Sequence, residues 1–345
     1  MRGKTDTLKN SLRLSVFARN IVDWKYLYVK LIRNLDDFSD DLRGGAVTIG
    51  NFDGVHRGHA QLVKRLRKLA DEINGPAVVF TFDPHPAWIL HPDAVAQPLI
   101  WNQRKAEILR ELGADVVLIY PADRAFLELD GRQFFERIVL RKLGAKGMVE
   151  GPNFFFGRNR TGTLEVLGGF CAEAGVRLEL AEPVEVDGQV VSSSKIRALI
   201  IQGRMAEARQ MLGRPYRIRG FVICGAGRGA KLGYPTANIT RIDTLLPSDG
   251  IYAGVAWVDQ SAHPAAISLG SNPTFDETAL KVEVFLLDFQ GDLYDRALQI
   301  DFFARLRETK RFDSVKALTD QMVLDVAAAR RIAGEAENLQ PHTEN

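Results

Sequence analysis

Gly50-Asn51-Phe52-Asp53-Gly54-Val55-His56-Arg57-Gly58-His59 is the stretch on which the fold turns. Before it runs a short apolar segment, Ala46–Ile49. After it, Leu62, Val63, Leu66, Leu69, Ala70 and Ile73 recur at helical spacing over residues 58–73. Strand, glycine-punctuated turn and helix make one α/β unit, and the alternation continues in both directions. Tyr28–Ile32 is the first segment with strand character. Ala77–Phe82, Val116–Tyr120, Gly147–Glu150 and Val176–Leu180 read as further strands. Helical patterns near 103–112, about 131–143 and over Thr163–Ala174 separate them. Short apolar strands joined by helices predict a doubly wound parallel sheet covered on both faces. Ligands in such sheets bind beyond the carboxyl ends of the strands.

After Gly213 the pattern changes. Ile218–Ile223, Ile251–Val258, Ala265–Leu269, Val282–Leu287 and Leu298–Phe303 are β-type runs punctuated by Gly, Pro, Asn and Asp. With no long helix between them, they predict a small antiparallel β-barrel. A last helix over 313–332 carries Val315, Leu318, Met322, Val326 and Ala329 on one face. The chain thus divides into an N-terminal extension (1–27), an α/β domain (28–204), a barrel domain (205–333) and a polar tail (334–345).

Composition narrows the class. The chain has 345 residues, 46% hydrophobic and 26% charged, which suits two globular domains. Its formal charge is +2, from 45 basic and 43 acidic residues, so nothing in it demands nucleic acid or a membrane as partner. No run of eighteen apolar residues occurs, which excludes a transmembrane helix. Two cysteines cannot build a disulfide framework and fit a cytoplasmic protein. Residues 1–27 are basic and lack a secretory h-region. They read as an upstream extension, with a presequence carrying Arg2, Arg13 and Arg19 as the alternative.

The decisive stretch also carries chemistry. Gly50, Gly54 and Gly58 permit a tight turn and close approach to a ligand. The helix start offers unpaired N–H groups and a positive dipole end to phosphate. His56 and His59 can donate to oxygens on which charge develops. A metal pair would need a third ligand, and none is obvious. At Val191-Ser192-Ser193-Ser194-Lys195-Ile196-Arg197, Ser193 or Ser194 is a good N-cap for the helix that follows.

The first stretch resembles the His-x-Gly-His signature of the nucleotidyltransferase superfamily. The second resembles the serine-rich motif whose hydroxyls and arginine hold the β- and γ-phosphates of ATP. That resemblance makes Gly50, Asn51, Phe52, Asp53, Gly58, Ser193, Ser194 and Arg197 nucleotide-binding, with His56 and His59 stabilising the transition state of nucleotidyl transfer. Thr81-Phe82-Asp83-Pro84-His85-Pro86 and Gly151-Pro152-Asn153-Phe154-Phe155-Phe156-Gly157 both fall at carboxyl ends of strands. They resemble the adenylyltransferase module of prokaryotic bifunctional FAD synthetases, although Pro152 stands where that family has an acidic residue. His85, Asn153, Phe154 and Phe156 are the residues implied to touch the flavin. Part of the Phe154–Phe156 run is equally readable as core.

The barrel half has its own signature, Gly225-Ala226-Gly227-Arg228-Gly229-Ala230-Lys231-Leu232-Gly233-Tyr234-Pro235-Thr236-Ala237-Asn238. Its glycines make a pliable loop able to cradle phosphates, with Gly225, Gly227, Gly229 and Lys231 as phosphate ligands. No Gly-Lys-Ser/Thr follows, so this is no Walker A loop. The run 232–238 resembles the Pro-Thr-Ala-Asn motif of riboflavin kinases, in which Thr236 and Asn238 would hold Mg²⁺ and phosphate oxygens. Gly250-Ile251-Tyr252-Ala253-Gly254, Gly270-Ser271-Asn272-Pro273-Thr274-Phe275 and Val282-Glu283-Val284-Phe285 follow in that family's order, and Phe312-Asp313-Ser314 opens the last helix. The resemblance makes Glu283 the base for the riboflavin 5′-hydroxyl; the outward face of a half-exposed strand is the alternative.

Together these motifs span about 29–332 and resemble a bifunctional riboflavin kinase/FAD synthetase. The implied small-molecule partners are ATP, riboflavin, FMN and FAD, with Mg²⁺ as cofactor. The competing reading is a nucleotidyltransferase for another acceptor, fused to a flavin-binding or regulatory barrel.

Overall fold

The computed structural model describes residues 30–90, 97–272 and 277–337. The N-terminal extension 1–27, Tyr28, the motif residues Pro273, Thr274 and Phe275, and 338–345 of the expected tail lie outside the described residues.

Six parallel strands form the first sheet: β1 (Lys30–Ile32), β2 (Ala46–Ile49), β3 (Ala77–Phe82), β4 (Val116–Tyr120), β5 (Gly147–Glu150) and β6 (Arg177–Leu180), in the order β1-β4-β3-β2-β5-β6. Every residue of β2 and β5 is buried. Strands covered on both faces read as continuous apolar runs, so their limits were plain in the sequence. Helix α1 (Arg57–Glu72) packs Val63, Leu66, Leu69 and Ala70 on one face of the sheet. α2 (Asn102–Glu111) precedes β4. The helix expected over 131–143 is a single turn, α3 (Gly131–Phe134), that continues as a π-helix over Phe135–Lys142. α4 (Leu164–Ala174) and β6 follow. The order of successive strands across the sheet reverses at β2, which has β3 on one side and β5 on the other. The loops leaving β2 and β5 therefore meet at the topological switch point, where open α/β sheets bind ligands.

A two-stranded ribbon, β7 (Glu185–Val186) and β8 (Gln189–Val190), leads to α5 (Ser193–Ile201) and α6 (Met205–Leu212). The barrel then closes from β9 (Tyr216–Ile223), β10 (Ala237–Thr240), β11 (Gly250–Val258), β12 (Ser261–Asn272), β13 (Glu277–Leu286) and β14 (Ala297–Arg307). A one-turn helix, α7 (Arg228–Lys231), lies between β9 and β10, so the loop read as pliable is partly coiled. β10 begins inside the glycine-rich motif, where no strand was expected. Ile196 and Ile200 of α5 and Met205 and Met211 of α6 share one hydrophobic cluster with Ile218, Tyr252 and Phe302 of the barrel.

The last helix, α8 (Val315–Glu337), runs beyond its expected end at 332 and takes in the start of the expected tail. Ala329 and Ala333 are fully buried, the latter in a cluster with Val255 and Phe303. Val315, expected on that packed face, is 54% exposed, whereas Leu318, Met322 and Val326 of the same stripe line a cavity.

Candidate functional sites

The first site is built on the turn after β2. Gly50 N–H extends the sheet pairing by donating to the Phe80 carbonyl. Phe52, Gly54 and Val55 then have φ of 47°, 80° and 39°. A β-branched residue such as Val55 resists that left-handed region, so outside partners must hold the turn there. Five successive carbonyls have donors. Asn51 O accepts from Thr81 Oγ1 and from Lys105 Nζ, both at 3.0 Å. Phe52 O accepts from Val55 N–H. Ser193 Oγ donates to Asp53 O at 2.8 Å. Arg214 donates to Gly54 O and, at 2.8 Å, to Val55 O.

The turn delivers His56 as the N-cap of α1, its Nδ1 accepting from His59 N–H at 3.4 Å. That assigns the proton of neutral His56 to Nε2. The two imidazoles stack with centroids 3.7 Å apart and planes 15° from parallel. Gly58 gives the stacked pair room, since a Cβ there would lie 3.2 Å from the His56 ring and would press it out of place by a few tenths of an ångström. Burial, then the Arg214 guanidinium, push the His56 pKa down to about 4. His59 also falls well below its usual value, through burial and then the nearby His56, Lys105 and Arg214. Both rings are therefore neutral near pH 7, and each offers one N–H. His59 Nδ1 is buried and has no partner among the described residues. Among the described residues no group of three His, Cys, Asp or Glu is placed to hold a metal.

The serine motif meets this turn. Asp53 accepts from Leu99 N–H at 2.8 Å through Oδ1 and from Arg197 Nη2 at 2.7 Å through Oδ2. Ser192, rather than Ser193 or Ser194, caps α5, accepting from Lys195 N–H. The helix starts one residue earlier than expected, which frees Ser193 to reach Asp53 and leaves Ser194 exposed in the first turn. Two motifs some 140 residues apart thus form one site, although Asp53 and Arg197 engage each other in it.

Two expectations need correction here. Phe52 is 2% exposed and backs His59 at 5.0 Å, so its ring supports the histidine and does not line the opening. Phe156 is a core residue, stacked under Phe154 at 5.6 Å. Phe155 is the exposed ring instead, with Arg160 above it at 4.7 Å. Asn153 is exposed on the same loop. His85 is half-buried, its Nδ1 accepting from Ala87 N–H at 3.0 Å. Burial lowers its pKa, and Asp53, Lys105 and Arg197 lie within electrostatic reach.

Three residues of this site were missed. Lys105 is 6% exposed, and burial lowers its pKa. Its signal was available: Trp101, Lys105, Ile108 and Leu109 share one helical stripe, where a lysine is out of place. Glu150 is 2% exposed at the end of β5. It accepts from Ile49 N–H at 2.9 Å, and burial holds its carboxyl well above the usual range. Arg214 follows the helix end at Gly213 and carries no periodic signal.

The second site is a cavity of about 230 Å³ on the barrel's outer wall. Strand alternation sends Val282, Val284 and Leu286 of β13 into the barrel core and leaves Glu283 and Phe285 on the outer face. That face is roofed by the 225–238 segment and the first turns of α8. Glu283 therefore lies on the wall of a cavity, with Asn238 opposite it across the β10–β13 pairing. Gly225 permits the segment to close, because a Cβ there would sit 2.1 Å from the Asn238 amide. Thr236, Gly227 and Gly229 line the same space, whereas Lys231 is exposed and does not, because α7 turns it outward.

Leu318, Met322 and Val326 of α8 supply the apolar wall. Arg307 at the end of β14 anchors the helix over it, with Nε and Nη2 on Asp325 at 3.1 and 2.7 Å. Arg307 and Asp325 went unread because only the fold brings the end of β14 to α8.

Two family models match separate parts of the chain. The FAD synthetase family model matches residues 38–195 and the riboflavin kinase model residues 212–333. A bifunctional riboflavin kinase/FMN adenylyltransferase from Pseudomonas fluorescens is 37% identical over 306 residues, covering 88% of this chain and 98% of its own. The Escherichia coli K12 protein of the same description is 32% identical over 308 residues, covering 89% and 98%. A crystal structure described as a macrolide-efflux protein from Streptococcus pneumoniae superposes with a TM-score of 0.79 at 31% identity, over 87% of this chain and 98% of that one. Among the described residues no helix is long and apolar enough to cross a membrane.

Proposed function

The chain belongs to the bifunctional riboflavin kinase/FMN adenylyltransferase family, and from that premise we propose how its two sites divide the work. It phosphorylates riboflavin with ATP to FMN. It then joins FMN to the adenylyl group of a second ATP, giving FAD and pyrophosphate. Neither step asks the protein for covalent catalysis, so positioning and charge stabilisation carry the rate.

In the barrel, Glu283 takes the proton of the riboflavin 5′-hydroxyl as that oxygen bonds to the γ-phosphorus and ADP departs. The apolar wall of Leu318, Met322 and Val326 takes the flavin ring, and the main chain around Gly227 and Gly229 holds the phosphates. Thr236 and Asn238 offer two neutral oxygens beside the carboxylate of Glu283, a donor set that suits Mg²⁺ and leaves room for phosphate oxygens and water. Bound there, Mg²⁺ would offset the charge of the ATP phosphates.

At the sheet edge, a phosphate oxygen of FMN attacks the α-phosphorus of ATP and the bond to pyrophosphate breaks. The N–H groups of neutral His56 and His59 face the non-bridging oxygens as their charge grows. The N-terminus of α5 and Arg197 receive the β- and γ-phosphates, with Arg197 exchanging part of its contact with Asp53. Phe154 and Phe155 flank the flavin and Asn153 its polar edge. A cytoplasmic location, where ATP and free flavins are at hand, suits this activity, and the two free cysteines, Cys171 and Cys224, support that reading.

The observation that carries the reading is the meeting of the histidine and serine motifs at Asp53, in a chain that also holds Glu283 in a separate cavity. The test is to incubate the pure protein with riboflavin, ATP and Mg²⁺ and separate the flavins by chromatography. FMN followed by FAD is expected. FMN alone would remove the first site's assignment, and no product would remove both.

A further inference from the structure

Arg214 lies where the helical segment ends and the barrel begins, yet its guanidinium is spent on the histidine turn. Its hydrogen bonds go to main-chain carbonyls: Gly54 and Val55 of that turn, and Leu212 at 3.4 Å. It forms no ion pair among the described residues, and burial lowers its pKa to about 10. A cation withdrawn from water with only carbonyls as partners is an expensive arrangement. The two carbonyls it holds belong to the residues immediately before His56, and Val55 is the strained one, with φ at 39°. Ser193 completes the clamp on Asp53 O. No other side chain holds Gly54 O or Val55 O among the described residues.

We propose that Arg214 is a positioning residue for adenylyl transfer. It fixes the Gly54–Val55 main chain so that the stacked pair His56 and His59 meets the reacting phosphate in one orientation. The proposal rests on the adenylyl-transfer reading of that pair. Arg214 touches neither substrate. It acts through the turn, so its loss misplaces the histidines without emptying the nucleotide site. A displacement of about 1 Å at reacting groups costs on the order of a hundredfold in rate.

The geometry also permits a rescue. Arg214 borders a cavity of about 130 Å³ between the sheet and the barrel, lined also by Trp101, Arg104, Leu212 and Asp301. Truncation to alanine would enlarge that space where the guanidinium lay.

The test uses the full-length protein and its R214A and R214K variants. FAD formation from supplied FMN and ATP is measured beside FMN formation from riboflavin, which reports folding because Arg214 lies outside the kinase cavity. For R214A we expect kcat of FAD formation to fall by about a hundredfold, with KM for ATP and FMN within about threefold and kinase turnover unchanged. Millimolar guanidinium chloride should restore part of the lost FAD formation in R214A and none in the parent. R214K, able to reach one carbonyl at a time, should fall between. Equal loss of both activities with no rescue, or loss confined to KM, would overturn the positioning role. So would an R214A variant as fast as a working parent. A parent that forms no FAD at all would overturn the adenylyl-transfer reading itself, and Arg214 with it.

Discussion

Acid should loosen this protein at His56. The ring is 6% exposed, and its pKa drops from the ordinary 6.5 to about 4 in the fold. Between those values the unfolded chain binds the proton and the folded one does not. Stability therefore rises with pH, is complete above 6.5, and is lost as the pH falls toward 4. From pH 7 to pH 5 this one residue costs about 2 kcal/mol, at about 1.4 kcal/mol per unit. The cause is specific. A proton on Nδ1 removes the acceptor for His59 N–H and sets a cation against a ring 3.7 Å away, near Arg214. The perturbation is His56→Asn, which keeps a capping oxygen and does not titrate. Urea unfolding at pH 7 and pH 5 should show the parent losing about 2 kcal/mol more than the variant. Parallel losses in the two proteins would refute the reasoning.

Three further outcomes are expected. Glu283→Gln should lower riboflavin kinase turnover by about a hundredfold or more and leave FAD formation from FMN intact; normal turnover with a reduced melting temperature would leave a structural glutamate. His59→Ala should cut FAD formation by about a hundredfold to a thousandfold while FMN formation persists, and a folded variant with full FAD synthesis would reject the phosphate role. A fragment of residues 191–337 retains α5 and α6, whose Ile196, Ile200, Met205 and Met211 share the barrel's core. It should form FMN but no FAD, and should withstand heat better than one beginning at 213; equal melting points would mean the two helices add nothing.

What the sequence revealed and what it withheld separate along a physical line. Ala46–Ile49, Ala77–Phe82 and Val116–Tyr120 were legible to the residue because strands covered on both faces read as near-continuous apolar runs, broken here by the small buried threonines Thr48 and Thr81. β10 was not, because only Ala237 and Ile239 of its four residues face the core. The cap of α5 was misplaced by one residue because three consecutive serines offer equal local chemistry, and a partner 140 residues away decides between them. Lys105 alone left a trace, as a cation on an apolar helical stripe. Arg214 left none, because its partners are carbonyls that every residue has.

Glu283 marks where alternation settles orientation but cannot settle environment. The strand's period places its side chain outside the barrel core, as the bland reading required. Outside is not solvent here, because α8 and the glycine-rich segment roof that stretch of wall. The roof comes from residues 225–238 and from the first turns of the last helix, and neither is local to β13. Arg307 on Asp325 holds the helix end of it at 2.7 Å. Phe285, two residues on, takes the same outward side and meets Tyr234 edge to face at 5.4 Å, which seals the segment against the strand. A carboxylate within the apolar run Val282–Leu286 is thereby given a confined space and a facing asparagine, two conditions that suit the proposed acceptance of a proton from a bound hydroxyl. The outward period, one alternative in the sequence, is thus compatible with the catalytic role proposed for Glu283, because the outward face is itself the wall of a cavity.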